Sequence, residues 1–229
     1  MLSRTPITQS VARKLQAMIL DGEMKPGEKI PSQRVLSEQL GVSRASLREA
    51  LMTIETLGLI RTEPGRGTFV TTNEHGAQAG AARWRYADSY SAREVFETRI
   101  MLESRIAGLA ARNLPAEKLA ILVEATDEME ARWNAHDLLA NVEADLRFHV
   151  AIAHGCGNAM LITLYEAVRE LMAETQRQPI PMTAPGRMKE SIAEHRAIAA
   201  AIAARDADAA EQAMATHVRN TAACVGIIL

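Results

Sequence analysis

The feature that most limits what this chain can fold into is residues 31–70, where the hydrophobic period changes within a short span. Val35, Leu36 and Leu40 share one face of a short helix over 32–40, and Gly41 breaks it. Ser43 can cap a second helix in which Leu47, Leu51, Ile54 and Leu57 share a face. Beyond Gly58 the pattern becomes strand-like: residues 59–62 and 68–71 flank Pro64-Gly65-Arg66-Gly67, which reads as a hairpin. Two apolar-faced helices joined by a Gly-containing turn and followed by a small β wing predict a winged helix-turn-helix. Its solvated face includes Arg44 and Arg48, the residue types that meet phosphates and base edges.

The rest of the chain is arranged around this head. Residues 7–20 carry Val11, Leu15, Met18 and Ile19 near one face and predict a helix packed across the helix-turn-helix. The head, a DNA-binding domain, is expected to end at residue 72. Residues 73–91 hold no sustained period and contain Gly76 and Gly80, so they read as a linker, although Trp84 and Tyr86 argue for a surface to cover. From residue 92 the pattern is helical: helices are expected near 92–112, 116–133, 137–153, 159–176, 188–204 and 207–224, with 179–186 as a break. Aromatic residues are only 3% of the chain while apolar residues are 48%, a composition that suits helix packing. The fold class expected is therefore mainly α, a winged head followed by an all-α bundle over 92–229.

Charge separates the two parts. Residues 1–72 carry ten Lys/Arg against seven Asp/Glu, and residues 73–229 carry sixteen against twenty-one. A slightly basic head on an acidic body points toward nucleic acid in the head alone. The two cysteines, Cys156 and Cys224, lack ligand-like spacing and read as thiols of a reducing compartment. With no signal-peptide pattern and no apolar run of membrane length, a cytoplasmic protein without a membrane partner is expected.

Four residues of the body could share one metal ion. Asp145 and His149 stand one helical turn apart in EADLRFH; His195 lies in EHRAI and His217 in ATHVRN, on two later helices. One oxygen and three imidazoles suit zinc, nickel, manganese or iron(II). Ordinary helix histidines would give the same letters, and the pattern alone does not choose. Arg99 and Glu103, in ETRIMLE, are either an exposed ion pair or an arginine turned into the bundle to grip a carboxylate. Glu143 and Glu194, beside the histidines in sequence, are expected to face solvent.

With these residues placed, the chain closely resembles the GntR family of bacterial transcription regulators, in its FadR subfamily with an all-helical FCD domain. The head segment PGEKIPSQRVLSEQLGVSRASLREALMTIETLGLI with GRGTFV carries the resemblance most specifically. ETRIMLE, DLRFH, EHRAI and DADAAEQAMATH follow in the family's order. The resemblance implies DNA contacts by Arg34, Ser43, Arg44, Ser46, Arg48, Gly65 and Arg66. It implies a divalent metal, zinc foremost, on Asp145, His149, His195 and His217, and an effector-binding role for Arg99 toward a small carboxylic acid. The mechanism expected is a homodimer on a pseudo-palindromic operator, with repression relieved by the acid as the default and promotion of DNA binding by the acid as the alternative. Two rivals stand beside it: a metal-dependent enzyme fused to a DNA-binding head, and a regulator whose metal is purely structural.

Overall fold

The computed structural model describes residues 7–71 and 84–229. The chain divides into two compact units, Met1–Ala82 and Arg83–Leu229. Most of the segment read as a linker, residues 73–83, lies outside the described residues.

In the first unit α1 (Ile7–Leu20), α2 (Gln33–Leu40) and α3 (Arg44–Thr56) precede a hairpin of β1 (Ile60–Glu63) and β2 (Gly67–Val70). Ser32 opens α2 by accepting the Val35 amide, and Ser43 opens α3 by accepting the Ser46 amide at 3.1 Å. Gly41 ends α2 at φ 66°, in the left-handed region where glycine is least strained. Leu36, Leu47, Ile54 and Leu57 are sealed in the core of this unit, where α1 and α2 pack on α3. The strands pair antiparallel with Ile60 opposite Val70 and Glu63 opposite Gly67. Each lies one residue from its sequence-based bounds, because ladder hydrogen bonds rather than apolar residues set strand ends.

In the second unit α4 (Ala92–Asn113), α5 (Leu119–Asn134), α6 (Leu138–Gly155), α7 (Ala159–Arg177), α8 (Pro185–Ala203) and α9 (Ala207–Cys224) form a bundle. The bundle packs α4 against α9, α5 against α6 and α8 against α9. Ser91 and Glu94 close a capping box that starts α4, and Asp137, Asn158 and Asp206 cap α6, α7 and α9. Phe96, Phe148 and Tyr165 are the large rings of a core otherwise made of aliphatic, Met and Ala side chains. Small residues bring the helices close: a Cβ on Gly155 would stand 2.1 Å from Leu114 Cδ1. One expectation fails here. The helix expected from Met188 begins at Pro185, so 185–186 is not a break but the first turn, where proline's missing N–H costs nothing. A short 3₁₀ turn, Ile180–Met182, fills the gap after α7.

Candidate metal centre and DNA-contacting face

In the head, α3 presents Arg44 and Arg48 on its exposed side, opposite buried Leu47, Ala50 and Leu51. Neither arginine makes an ion pair among the described residues, so both guanidinium forks are available to phosphate or guanine. Ser43 is exposed at the start of the same helix and Ser46 is half-buried, with their hydroxyls 2.9 Å apart. Arg34 is exposed on α2, 3.2 Å from Glu38. At the wing tip Gly65 has φ 75° and open space beside it, so backbone can approach a ligand closely there. Arg66 next to it pairs with Glu63 and lies over the Phe69 ring, as do Arg61 and Lys29.

In the second unit three helices aim four side chains at one point. On α6 the core stripe brings Asp145 and His149 inward beside Val142, Phe148 and Ile152. On α8 His195 continues the stripe of Met188, Ile192, Ile198 and Ile202, and on α9 His217 follows Ala210 and Met214. One ligand atom from each of the four lies within 4.8 Å of the others, and the three histidines are buried.

The histidine orientations are fixed from behind. His149 Nδ1 is 2.5 Å from Glu103 Oε2, His195 Nδ1 is 2.8 Å from the Ser191 carbonyl, and His217 Nδ1 is 2.9 Å from Glu194 Oε2. His195 and His217 can each donate Nδ1–H outward, and His149 Nδ1 faces the Glu103 carboxylate outside hydrogen-bond geometry, so all three Nε2 atoms are turned toward a shared centre. His195 Nε2 then stands 2.8 Å from Asp145 Oδ1, and His149 Nε2 stands 3.8 Å from it. A neutral imidazole has one N–H, and His195 has spent it on Ser191. Its close approach to a carboxylate oxygen requires a proton or a cation between them. The donor set therefore fits a divalent ion on an observation independent of the sequence pattern: His149 Nε2 is buried and has no hydrogen-bond partner.

The surroundings tune this site. Burial pushes the Asp145 carboxyl up, but the His195 hydrogen bond and the other histidines hold it well below the carboxylate range. Gln176 Nε2 donates to its second oxygen at 2.7 Å. Burial and the neighbouring His195 push His217 down to about 3 despite its bond to Glu194.

Arg99 and Glu103 are both fully sealed in the core stripe of α4, between Phe96 and Ile106, so the exposed-pair alternative is excluded. Arg99 Nε donates to Glu103 Oε1 at 2.6 Å and Nη1 to Thr175 Oγ1 at 3.0 Å, while Nη2 is buried with no acceptor. Burial opposes the Glu103 charge, yet Arg99 and His149 hold its carboxyl down to about 2. Glu194 corrects a second expectation. It does not face solvent but accepts from His217, from Arg187 Nη2 at 2.8 Å and from Asn220 at 2.7 Å.

The sequence profile of the FCD domain matches residues 94–220, and that of the bacterial regulatory proteins of the gntR family matches residues 7–70. The chain belongs to the GntR family and carries an FCD domain. As a GntR-family member it is a DNA-binding transcriptional regulator. It is similar to the HTH-type transcriptional regulator LutR of Bacillus subtilis strain 168, at 32% identity across 89% of this chain and 94% of that protein. It is 30% identical to the galactonate operon transcriptional repressor of Escherichia coli K12, across 93% of this chain and 94% of the repressor. It is 29% identical to the Uxu operon transcriptional regulator of the same organism, across 93% of this chain and 84% of that protein. None of these is an enzyme by name. Two solved structures share the fold. E. coli McbR/YncC gives a TM-score of 0.55 at 22% identity, covering 97% of this chain and 99% of that one. A GntR regulator from Rhodococcus sp. RHA1 gives 0.52 at 23% identity, covering 98% and 100%. Among the described residues of this GntR regulator no helix is long and apolar enough to cross a membrane.

Sequence reasoning missed the residues behind the ligands: Glu103 for His149, Glu194 for His217, Gln176 for Asp145 and Thr175 for Arg99. Glu103 had a readable signal, since it shares the apolar stripe of Phe96, Ile106 and Ala110. Thr175 and Gln176 had none, because nothing in the letters links the end of α7 to α4 and α6.

Proposed function

We propose that this regulator is a repressor that binds a pseudo-palindromic operator as a homodimer and is released by a small carboxylic acid held at a metal site in the FCD domain. The observation that carries the reading is the convergence of three histidine Nε2 atoms and an Asp145 oxygen on one point, with the Nδ1 atoms of His195 and His217 hydrogen-bonded outward and that of His149 beside Glu103. Asp145, His149, His195 and His217 would hold the ion. Oxygen and nitrogen donors suit zinc first, with nickel, manganese or iron(II) matching the same set. A divalent ion supplies Lewis-acid attraction for a carboxylate oxygen. The chain's own residues do the rest. Arg99, sealed in the core with an acceptorless Nη2, is proposed to favour the acid's negative charge from behind the histidines. Thr175 and Gln176, adjacent on α7, tie that arginine and Asp145 to a single helix, so a shift at either is felt at its end. An acid alters DNA binding only if it favours one arrangement of the heads over the other. The galactonate operon transcriptional repressor among the relatives supports the repressor part of the reading.

In the head, Arg44 and Arg48 are proposed as the readers of base edges and phosphates. Arg34, Ser43 and Ser46 position the helix on the backbone, and Gly65 and Arg66 place the wing. The regulator works where the DNA is, in the cytoplasm. The metal reading is tested by elemental analysis of purified wild type and His195→Ala. The expected result is close to one ion per chain in the first and strong depletion in the second; equal metal content would sink the four-ligand site.

A further inference from the structure

The cavity that reaches the metal ligands from outside does not meet Arg99. It is bordered by Asp145 and His217, and among the described residues lining it Arg187 alone carries a permanent positive charge. Arg187 sits in the first turn of α8, mostly buried. Its Nη2 is fixed on Glu194 Oε2, the oxygen that also receives His217 Nδ1, so one carboxylate locks the guanidinium and a ligand imidazole together. The remaining donors are not matched. Nε and Nη1 are buried without a hydrogen-bond acceptor. Nη1 has only a loose ion pair at 3.5 Å with Glu190, whose side chain is 73% exposed, and the Cys224 thiol beside the guanidinium is a weak acceptor. A desolvated guanidinium with open N–H groups favours an anionic oxygen partner over any neutral one.

The other polar groups facing this space, Asn141, Gln176, Thr183, Ser191 and Thr221, are uncharged. Four of them are already engaged: Asn141 donates to the Met129 carbonyl, Gln176 to Asp145, Thr183 to the Pro179 carbonyl and Thr221 to the His217 carbonyl. The cavity volume is about 50 Å³, room for on the order of four water-sized groups. Long acids do not fit it as it stands.

We propose that Arg187 is a specificity-determining residue that grips the second carboxylate of a compact dicarboxylic acid whose first carboxylate lies at the metal ligands. The inference rests on the reading that an acid binds beside Asp145 and the histidines, and it narrows that ligand to one with two anionic ends and few carbons. Arg187 then holds the end of the acid that faces the entrance, and Arg99, which the cavity does not meet, lies on the far side of the histidines.

The test is calorimetric titration of the zinc-loaded full chain with matched pairs, malonate against propionate and succinate against butyrate. Wild type is expected to bind the dicarboxylate of at least one pair roughly ten- to a hundredfold more tightly, the range of a charge-assisted hydrogen bond. Arg187→Gln, titrated at saturating zinc, is expected to bring the two members of that pair within about threefold. Because Arg187 also braces Glu194, a second measurement on wild type stands independent of the variant. Cys224 lines the same cavity and Cys156 is buried, so the dicarboxylate should slow alkylation of Cys224 by iodoacetamide and the monocarboxylate should not. Equal affinity within both pairs, equal protection of Cys224, or a preference that survives Arg187→Gln overturns the role of Arg187 while leaving an acid-binding site in place. Failure of every acid to bind the zinc-loaded protein instead removes the effector reading itself, and this inference with it.

Discussion

Glu103→Gln probes the buried centre most sharply. The carboxylate serves two partners: it neutralises a guanidinium that is 0% exposed and it fixes His149 from behind at 2.5 Å. Glutamine keeps the shape and one acceptor oxygen but removes the charge, leaving Arg99 as a buried cation held by neutral acceptors alone. Breaking a buried pair from one side costs about 3–5 kcal/mol, and the retained acceptor places this variant near about 3 kcal/mol. For a unit of this size each kcal/mol moves the midpoint by about 2–4 °C, so a fall of about 6–12 °C is expected by calorimetry in the presence of chelator. The double variant Arg99→Met/Glu103→Leu replaces both charges with apolar groups of similar size and should return to within about 1 kcal/mol of wild type. With metal present, Glu103→Gln should also weaken metal affinity about 10- to 100-fold, because His149 loses its orienting carboxylate. A midpoint shift under about 2 °C, or a double variant no more stable than Glu103→Gln, would refute the argument that Arg99 and Glu103 stabilise each other in the core.

Three further outcomes are expected. Arg48→Ala should weaken operator binding at least about tenfold in a gel-shift titration while leaving metal content and the melting midpoint unchanged; equal affinity would remove Arg48 from the reading face. Gly155→Ala should destabilise the FCD unit by about 1–3 kcal/mol, because its Cβ would meet Leu114 Cδ1 at 2.1 Å inside the core, and an unchanged urea midpoint would contradict that packing. The metal-free protein should lose stability on acidification. His217 is held at about 3 against an ordinary 6.5, and Glu103 at about 2 against 4.5. Both bind protons more readily unfolded than folded, so their contribution is complete above the unfolded values and is lost as pH falls from 6.5 toward 3 for the histidine and from 4.5 toward 2 for the glutamate. A midpoint that rises between pH 6.5 and 4 would contradict the sign.

Much of this was readable in the letters because the helices are strongly periodic. Ser43, Gly41 and the leucines of α3 specified the helix-turn-helix, and the i,i+4 pair Asp145/His149 with two later histidines specified a possible shared centre. What escaped has physical reasons. The stretch 179–186 reads as a break, yet proline is tolerated at the first helical position, and α8 starting at Pro185 places Arg187 in a helix facing the cavity. Glu194 was read as solvent-facing because glutamate usually is. It turns inward because Arg187, Asn220 and His217 offer it three donors. The choice between an exposed and a buried Arg99–Glu103 pair could have been made from the stripe of Phe96, Ile106 and Ala110, which leaves no solvent side for those two positions.

The central claim is that an acid at the metal site governs DNA binding. The most direct measurement is operator affinity of the full chain with and without the acid, repeated after chelation and in His195→Ala. The expected result is an acid-dependent loss of affinity that appears only in the metal-loaded wild type. An affinity indifferent to every acid that binds the protein, or one that falls equally without the metal ligands, would contradict it.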